Sequence, residues 1–391
     1  MATPTDAHKP LVVLSGGGTG GHITPIIAVA HELKQLNPAI EIVYIGEKGG
    51  KFKDLTDTSP DIDRSYAIQA GKLRRYHGES LLTRLADVKT NALNLRDAFL
   101  VSLGVPSAWR LLGKLKPDVV FLKGGYVGVP VGIAAAARRI PIVTHDSDAI
   151  PGLANRLVGR WAKLHATALP AEFYAYDQAK VQSVGVLVGH NFQSVTPEVQ
   201  ADFKEQLGLP REDPLLLITG GSLGAQRINE AAAKLMPALL ASHPTMHVIH
   251  QAGKGKADVY GTYTDKRLQV LEFMKPMHVY TGAADLIVSR ASANTLAELG
   301  VQGKACVAIP SQFLAAGHQL KNAERLEEQG AAIIVQEEQL YDLQQGLLPV
   351  IDSLLNDAGK RQELAQNLQS ITIPDAAKRL ARLILDQIRA S

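Results

Sequence analysis

Residues 11–22 read LVVLSGGGTGGH, an apolar run that passes directly into glycines. Such a run predicts a short buried strand that enters a helix through a glycine turn. Residues 215–224, LLLITGGSLG, repeat the pattern in the second half of the chain. At turns of this kind, backbone N–H groups and a helix N-terminus face a phosphate. The repetition therefore predicts two α/β domains, each with a phosphate-type loop, that share one cleft.

The composition sets bounds on the class of protein. A chain of 391 residues is long for one core and comfortable for two domains. The formal net charge of +3 is too small to indicate nucleic acid. A single cysteine, Cys306, excludes an intramolecular disulfide and a cysteine metal cluster. The polar N-terminus does not read as a signal peptide, and no apolar run reaches the ~18 residues of a membrane span. We therefore expect a cytoplasmic protein.

The order of elements predicts the fold class. Apolar strand candidates alternate with helical patterns, which is typical of parallel sheets covered on both faces. The predicted fold is α/β, with two Rossmann-like domains that face a central cleft. Its domains are residues 1–188 and 189–373. An amphipathic helix at about 374–391 is expected to pack back on the first domain.

The first glycine loop alone has several interpretations. Residues 16–21 also fit the dinucleotide fingerprint G-x-G-x-x-G, and Glu47 stands where a ribose-binding acid belongs. The glycines continue into His22, however, and the second half repeats the phosphate device, which together disfavour a nicotinamide or flavin site. The remaining alternative is that the glycines only permit tight turns. An imidazole at His22 has an ordinary pKa near 6.5 and is suited to general-base catalysis, unless it merely hydrogen-bonds the loop.

The second half carries further candidate binding residues. Ser222 and the N–H groups of residues 222–225 are placed to hold a diphosphate, unless Ser222 is an ordinary helix cap. Glu298 is expected one turn into a later helix, where its carboxylate would accept from both hydroxyls of a ribose or act only as a helix-dipole acid. The polar helix start at 317–324 is a weaker candidate on spacing alone.

Two other patterns in the sequence each have two interpretations. Asp146-Ser147-Asp148 matches the metal-binding D-x-D pattern, but Asp61-Ile62-Asp63 occurs in an unremarkable stretch. Such a pair therefore arises by chance in a chain of this aspartate content, and the D-x-D pattern does not indicate a metal site. We predict neither a metal nor another cofactor. Residues 72–85 mix basic and large apolar side chains, which suits either an anionic membrane surface or a helix packed on its own sheet.

Seven motifs in order resemble the MurG-type peptidoglycan N-acetylglucosaminyltransferases, over nearly the whole length. These are GGTGGH at 17–22 with Pro25, KPDVV at 116–120 leading to GGYV at 124–127 and Pro130, IPGLANR at 150–156, GGSLGA at 220–225, HQAGKG at 250–255, SRASA at 289–293 with Glu298, and GHQLKNA at 317–323. The resemblance implies a GT-B fold. It further implies transfer of N-acetylglucosamine from its UDP donor to lipid I at the cytoplasmic face of the membrane. The transfer would invert the configuration of the anomeric carbon.

The resemblance also assigns roles to residues. It places the acceptor in the first domain, with His22 near the reacting centre and the membrane surface at 72–85. Asp148 is the less favoured base. The acceptor-side loop contributes Thr19, Gly20 and Gly21. The donor site would consist of Ser222, Leu223 and Gly224 for the diphosphate, Phe273 and Met274 for uracil, Glu298 for ribose, and Ala293, Asn294, Thr295, Gln319 and Asn322 around the sugar and phosphates.

Two departures from the family pattern affect the site. The family's His-Glu-Gln-Asn is replaced by residues 145–148, HDSD, so that a carboxylate stands for an amide at Asp148. Its Gly-Asn-Pro-Val-Arg is replaced by residues 185–189, GVLVG, so the diphosphate-binding arginine is absent unless Lys254, Arg227 or Arg290 substitutes. The alternatives are therefore a lipid glycosyltransferase with another UDP-sugar, a sugar-nucleotide epimerase, or a non-catalytic UDP-sugar-binding subunit.

Overall fold

The computed structural model describes residues 9–18, 20–50, 53–72, 87–311, 318–342 and 344–389. It divides into two compact units, one of residues 1–190 with 375–391 and one of residues 191–374. The breaks therefore fall after His190 and Pro374, one or two residues beyond those expected from the sequence.

The first unit is built on a sheet of seven parallel strands in the order β3-β2-β1-β4-β5-β6-β7. Its central strands are fully buried because they are short runs of Val, Ile and Leu with helices on both faces. The strands are β1 Leu11–Ser15, β2 Glu41–Glu47, β3 Arg64–Ile68, β4 Val119–Leu122, β5 Ile142–Asp146, β6 Leu164–Thr167 and β7 Val181–Ser183.

The helices of the first unit connect these strands and include the C-terminal segment of the chain. They are α1 Gly20–Leu36, α2 Lys53–Asp57, α3 Val88–Leu115, α4 Gly128–Ala137 and α5 Leu153–Val158, with α13 Ala376–Arg389 at the C-terminus. Helix α13 packs against α1, which covers one face of the sheet. Pro25 lies inside α1, five residues after its first residue, so the helix lacks one backbone hydrogen bond there.

The second unit has a sheet of six strands in the order β10-β9-β8-β11-β12-β13. All described pairings are parallel, so two Rossmann-like α/β units are confirmed. The strands are β8 Leu215–Thr219, β9 His247–Gln251, β10 Leu268–Leu271, β11 Leu286–Arg290, β12 Cys306–Ile309 and β13 Ile333–Ile334. Cys306 is fully buried in β12, in keeping with an inert core thiol.

The helices of the second unit pack on both faces of this sheet. They are α6 Pro197–Gln206, α7 Gln226–Ser242, α8 Met277–Ala283, α9 Ala293–Gln302, α10 His318–Glu328, α11 Leu347–Asn356 and α12 Ala358–Ser370. Within the described parts of the chain, no helix is both long and apolar enough to cross a membrane.

Candidate active site

The first glycine loop lies at the carboxyl edge of the first sheet, against a second glycine turn. Strand β1 ends at Ser15, which pairs with Leu122 of β4, so the turns that follow the two strands are neighbours. At Gly125, where φ is +76°, a Cβ atom would lie 2.3 Å from the carbonyl oxygen of Gly17. Only glycine fits there, and the close approach fixes the loop that leads to α1.

His22 lies in the first turn of α1, across Gly124 from Asn155. A Cβ atom on Gly124 would be 3.7 Å from the His22 ring and 3.7 Å from the Asn155 amide. Burial, and next the positive charge of Lys123, lower the pKa of His22 from 6.5 to about 4 against the opposing Asp148 carboxylate. The imidazole is therefore neutral at pH 7 and able to accept a proton.

Lys123 is a site residue that the sequence reasoning missed, although it directly precedes a quoted glycine motif. It follows β4 and is only 4% exposed. Its Nζ donates a hydrogen bond to Ser147 Oγ at 2.9 Å. Burial lowers its pKa to about 8, while Asp146 and Asp148 favour the charged form. The ammonium therefore remains mostly protonated at pH 7, beside the histidine.

Asp146 holds the loop that follows β5. Its Oδ1 accepts from the Gly152 amide at 3.1 Å and from Asn155 Nδ2 at 2.9 Å, and its Oδ2 accepts from the Tyr176 hydroxyl at 2.9 Å. Burial raises the pKa of Asp146, and these donors oppose the rise. Among the described residues, no three His, Cys, Asp or Glu side chains are grouped to hold a metal ion. The D-x-D pattern thus contains a structural aspartate.

The neighbours of Asp146 have separate roles. The main-chain oxygen of Asp148 accepts from the Tyr174 hydroxyl at 3.0 Å, which fixes the loop, and its carboxylate is close enough to affect His22 and Lys123. His145 is fully buried, and its Nε2 lies 3.0 Å from the carbonyl oxygen of Gly185. Burial holds the pKa of His145 well below 6.5, so this ring is a neutral structural link.

The second glycine loop precedes α7 in the other unit. The cap of that helix is Ala225, so Ser222 is not an ordinary helix cap, and that alternative is wrong. Gly224 has φ +66°, and a Cβ there would lie 1.8 Å from the Ala252 carbonyl oxygen. The loop therefore packs on the turn after β9, as the first loop packs on the turn after β4.

Several cations lie around this loop. Lys256 Nζ donates to the Leu223 carbonyl at 3.2 Å, a contact that the sequence reasoning missed because its motif ended one residue earlier. Ser289 of β11 pairs with Thr219, the last residue of β8 before the loop. Arg290, the next residue of β11, therefore lies beside the loop. Arg227, in contrast, has its guanidinium 3.7 Å from the Glu337 carboxylate and 3.9 Å from that of Glu338.

Glu298 lies in α9, which starts at the same edge of the sheet. Ser292 caps this helix by accepting from the Thr295 amide at 3.3 Å. The Glu298 carboxyl group has no hydrogen bond or ion pair among the described residues. Burial raises its pKa to about 8. A partly buried acid without a partner suits the two hydroxyls of a ribose, which supply two donors.

The other predicted site residues differ in accessibility. Phe273 is 54% exposed after β10, whereas Met274 is 1% exposed in the core, so only the backbone of Met274 can reach a ligand. Gln319 accepts from the Ser311 amide at 2.9 Å, and Asn322 follows in the same helix. Thr19 lies outside the described residues. Residues 73–85 of the predicted membrane surface also lie outside them.

The structure brings several of the predicted residues together within each unit. His22 and Asp148 lie together at the carboxyl edge of the first sheet, and Gly20 and Gly21, which were expected in the loop, precede His22 in the first turn of α1. The register of β8 and β11 makes the loop of residues 220–224 a neighbour of the start of α9. The second set consists of Ser222, Leu223, Gly224, Ala293, Asn294, Thr295 and Glu298.

Comparison with known proteins adds an independent line of evidence. Residues 12–167 match the glycosyltransferase family 28 N-terminal domain, and residues 215–380 match the family 28 C-terminal domain. The chain is 32% identical to the UDP-N-acetylglucosamine--N-acetylmuramyl-(pentapeptide) pyrophosphoryl-undecaprenol N-acetylglucosamine transferase of Acetivibrio thermocellus, covering 96% of this chain and 97% of the relative. It is 34% identical to that of Salinibacter ruber, covering 97% of each. The crystal structure of Acinetobacter baumannii MurG superposes with a TM-score of 0.68 at 26% identity, covering 96% of this chain and 99% of that one.

Proposed function

This chain belongs to glycosyltransferase family 28, and we propose that it transfers N-acetylglucosamine from UDP-N-acetylglucosamine to lipid I, forming lipid II for peptidoglycan synthesis. The relatives that support this carry the activity in their names and align over nearly their whole length. The structural observation that carries the proposal is the neutral His22 at the end of a glycine loop, in a unit separate from the one that holds Glu298.

The reaction is a single displacement at the anomeric carbon of the donor sugar. The acceptor hydroxyl forms the new bond to that carbon while the bond to the UDP oxygen breaks, and the hydroxyl proton passes to the base. His22 is the proposed base because its imidazole is unprotonated at pH 7, and Asp148 is the weaker candidate. A base of this kind contributes ~10²–10⁴-fold to the rate.

The leaving UDP is bound by the second unit. Backbone N–H groups of residues 222, 223 and 225 and of the first turn of α9 stabilise the charge that develops on its diphosphate, while the Gly224 N–H donates to the Gly221 carbonyl at 2.9 Å. Glu298 binds the ribose, and Phe273 lies near the uracil.

Lys256 and Arg290 replace the family arginine, whose position is Gly189 in this chain. Both adjoin the loop, and neither forms an ion pair among the described residues. Arg227 is already engaged by two acids.

The acceptor is lipid-linked, and we place the membrane contact on the first unit, through residues 72–85 and the exposed face of α3. That face carries Leu95, Phe99, Leu103 and Trp109, which are 46–76% exposed. The Arg138 guanidinium lies 3.9 Å from the centre of the Trp109 ring. Large apolar side chains with adjacent cations suit a shallow contact with anionic lipid. Co-sedimentation with phosphatidylglycerol vesicles measures this contact. Phe99→Asp is expected to weaken vesicle binding, while Lys163→Gln, at an exposed lysine outside α3, leaves it intact.

Donor and acceptor identity are tested in one assay. The purified protein is incubated with UDP-N-acetylglucosamine, UDP-glucose or UDP-galactose, each with and without a lipid I analogue, and UDP release is measured. We expect release only with UDP-N-acetylglucosamine and acceptor together. UDP release with another donor sugar would show that the protein is a different lipid glycosyltransferase. UDP binding without release from any donor and acceptor combination would show that it is a non-catalytic binding subunit.

A further inference from the structure

The first unit contains a pocket of about 600 Å³ that the proposed mechanism does not use. Its volume lies within the ~300–1,000 Å³ of ordinary ligand sites. Its floor is the ring of Tyr176, stacked on that of His165 with centroids 3.8 Å apart. The walls come from α5, the segment after it, and residues 175–180. They include Ile150, Pro151, Arg156, Arg160 and Lys180.

The pocket is cationic. Arg156, Arg160 and Lys180 face a single carboxylate, that of Asp177, which lies 4.0 Å from Lys180 Nζ in an exposed pair. The Arg156 guanidinium has no hydrogen bond or ion pair to another described residue. The Arg160 side chain donates one hydrogen bond among the described residues, from Nε to the Leu157 carbonyl oxygen. Its guanidinium carbon lies 4.4 Å from the centre of the Trp161 ring. The pocket therefore offers unsatisfied N–H donors to an anion.

One end of the pocket adjoins the reacting centre. Ile150 and Pro151 follow the loop that carries Asp148, at the carboxyl end of β5. Asn155, which lies across Gly124 from His22, donates to Asp146, and Asp146 accepts from Tyr176 of the pocket floor. An occupant of the pocket thus begins next to the residues that surround the attacked bond.

The other end lies at the opposite edge of the sheet. Arg160 precedes β6 and Lys180 precedes β7, so both stand at the amino ends of their strands. Between these two ends the pocket is lined by His165 of β6, a strand whose four residues span ~13 Å. A fully extended chain of five residues reaches ~17 Å. A pentapeptide that starts at Ile150 can place its terminal carboxylate at Arg160 and Lys180.

We propose that this pocket binds the peptide of the acceptor, with the terminal carboxylate held by Arg160 and Lys180 and with Arg156 facing the middle of the peptide. This inference rests on the proposed function, because the curated relatives act on an N-acetylmuramyl-(pentapeptide) acceptor by name. The peptide is carried on the lactyl ether of the muramyl sugar, so it leaves the ring within a few bonds of the attacking hydroxyl. The cations then select an acceptor that carries its complete, anionic peptide.

The test compares three lipid-linked acceptors in the UDP-release assay: one with the free-acid pentapeptide, one with its C-terminal amide, and one without peptide. Lys180→Gln and Arg156→Gln are measured beside Lys163→Gln, an exposed lysine that also precedes β6 but does not line the pocket. We expect Lys180→Gln to raise KM for the free acid by about tenfold, as the loss of a charge-assisted contact does. Its KM for the amide and for the donor should not change.

The outcomes separate this inference from the proposed function. Arg156→Gln is expected to raise KM for both peptide acceptors and to leave the peptide-free acceptor unaffected. If the wild type turns over all three acceptors with equal KM, or if Lys180→Gln weakens the amide as much as the free acid, the pocket does not bind the peptide. Absence of turnover by the wild type with every acceptor would instead overturn the proposed function.

Discussion

The ammonium of Lys123 lies 2.9 Å from the hydroxyl of Ser147, and the two residues directly follow neighbouring parallel strands, β4 and β5. Lys123 is buried against the first glycine loop, where its positive charge disfavours protonation of His22. Position 147 is a glutamine in the family pattern. In this chain the shorter serine accepts from the lysine, and the lysine lies beside the proposed base.

Lys123→Met tests this electrostatic coupling. Removing the charge is expected to raise the pKa of His22 from about 4 toward 6.5. Since His22 must be unprotonated to act, activity on the acid side should then fall at a higher pH. The measurement is kcat/KM for the acceptor from pH 4 to 9, with the exposed Lys163→Met as the control. An acid limb that stays in place, or moves to lower pH, would show that Lys123 does not set the ionisation of the base.

Glu298 is expected to release a proton when UDP binds. Its pKa is raised to about 8 by burial, so the group is largely protonated at pH 7, whereas a ribose diol binds best to the carboxylate. Calorimetry of UDP binding at pH 7 in buffers of different ionisation enthalpy measures this proton. Glu298→Gln should abolish the release and weaken binding by about tenfold or more, while the exposed Glu212→Gln should change neither. A buffer-independent enthalpy in the wild type would refute the assignment.

The same carboxyl group gives a stability prediction of defined sign. A raised pKa means that the folded state binds more protons than the unfolded state, so the free energy of unfolding falls as pH rises from about 4.5 to about 8. In Glu298→Gln this contribution is absent. Chemical denaturation of the variant at pH 8 should therefore show higher stability than the wild type, with the difference vanishing near pH 4. Equal stabilities at both pH values would contradict the burial of this group.

Gly125→Ala tests the contact between the two glycine turns of the first unit. The backbone there has φ +76°, and the added Cβ would meet the Gly17 carbonyl oxygen at 2.3 Å. We expect a loss of at least ~1–3 kcal/mol in unfolding free energy and loss of acceptor turnover. Gly152→Ala is the matched control, because its φ is −60° and no atom lies within 4 Å of the added Cβ. A mild effect at Gly125 would mean that the loops move apart freely.

The sequence predicted the two α/β units because each has a short apolar run that ends in a glycine turn, a pattern that is local in the chain. It placed His22 at the tip of the first glycine loop, whereas the structure has His22 in the first turn of α1, which already begins at Gly20. Lys123 and Tyr176 escaped prediction because their roles depend on which strands are neighbours in the sheet. The β4–β5 pairing brings Lys123 to Ser147, and the fold of residues 171–180 brings Tyr176 to Asp146.

Met274 and Ser222 show a second limit of sequence reasoning. The family resemblance gives both a role in the donor site, yet their packing decides what each can offer a ligand. The Met274 side chain belongs to the core of the second unit, while Ser222 stands four residues before the first residue of α7. A linear motif specifies neither property, because both depend on how the turn after the strand is packed.

The central claim is that His22 removes the proton from the acceptor hydroxyl during N-acetylglucosamine transfer. The most direct measurement is kcat for UDP release from UDP-N-acetylglucosamine with a lipid I analogue, compared between the wild type and His22→Ala, with UDP affinity measured on both. The predicted result is a fall in kcat of ~10²–10⁴-fold with unchanged UDP affinity. A His22→Ala protein that retains wild-type kcat would contradict the account.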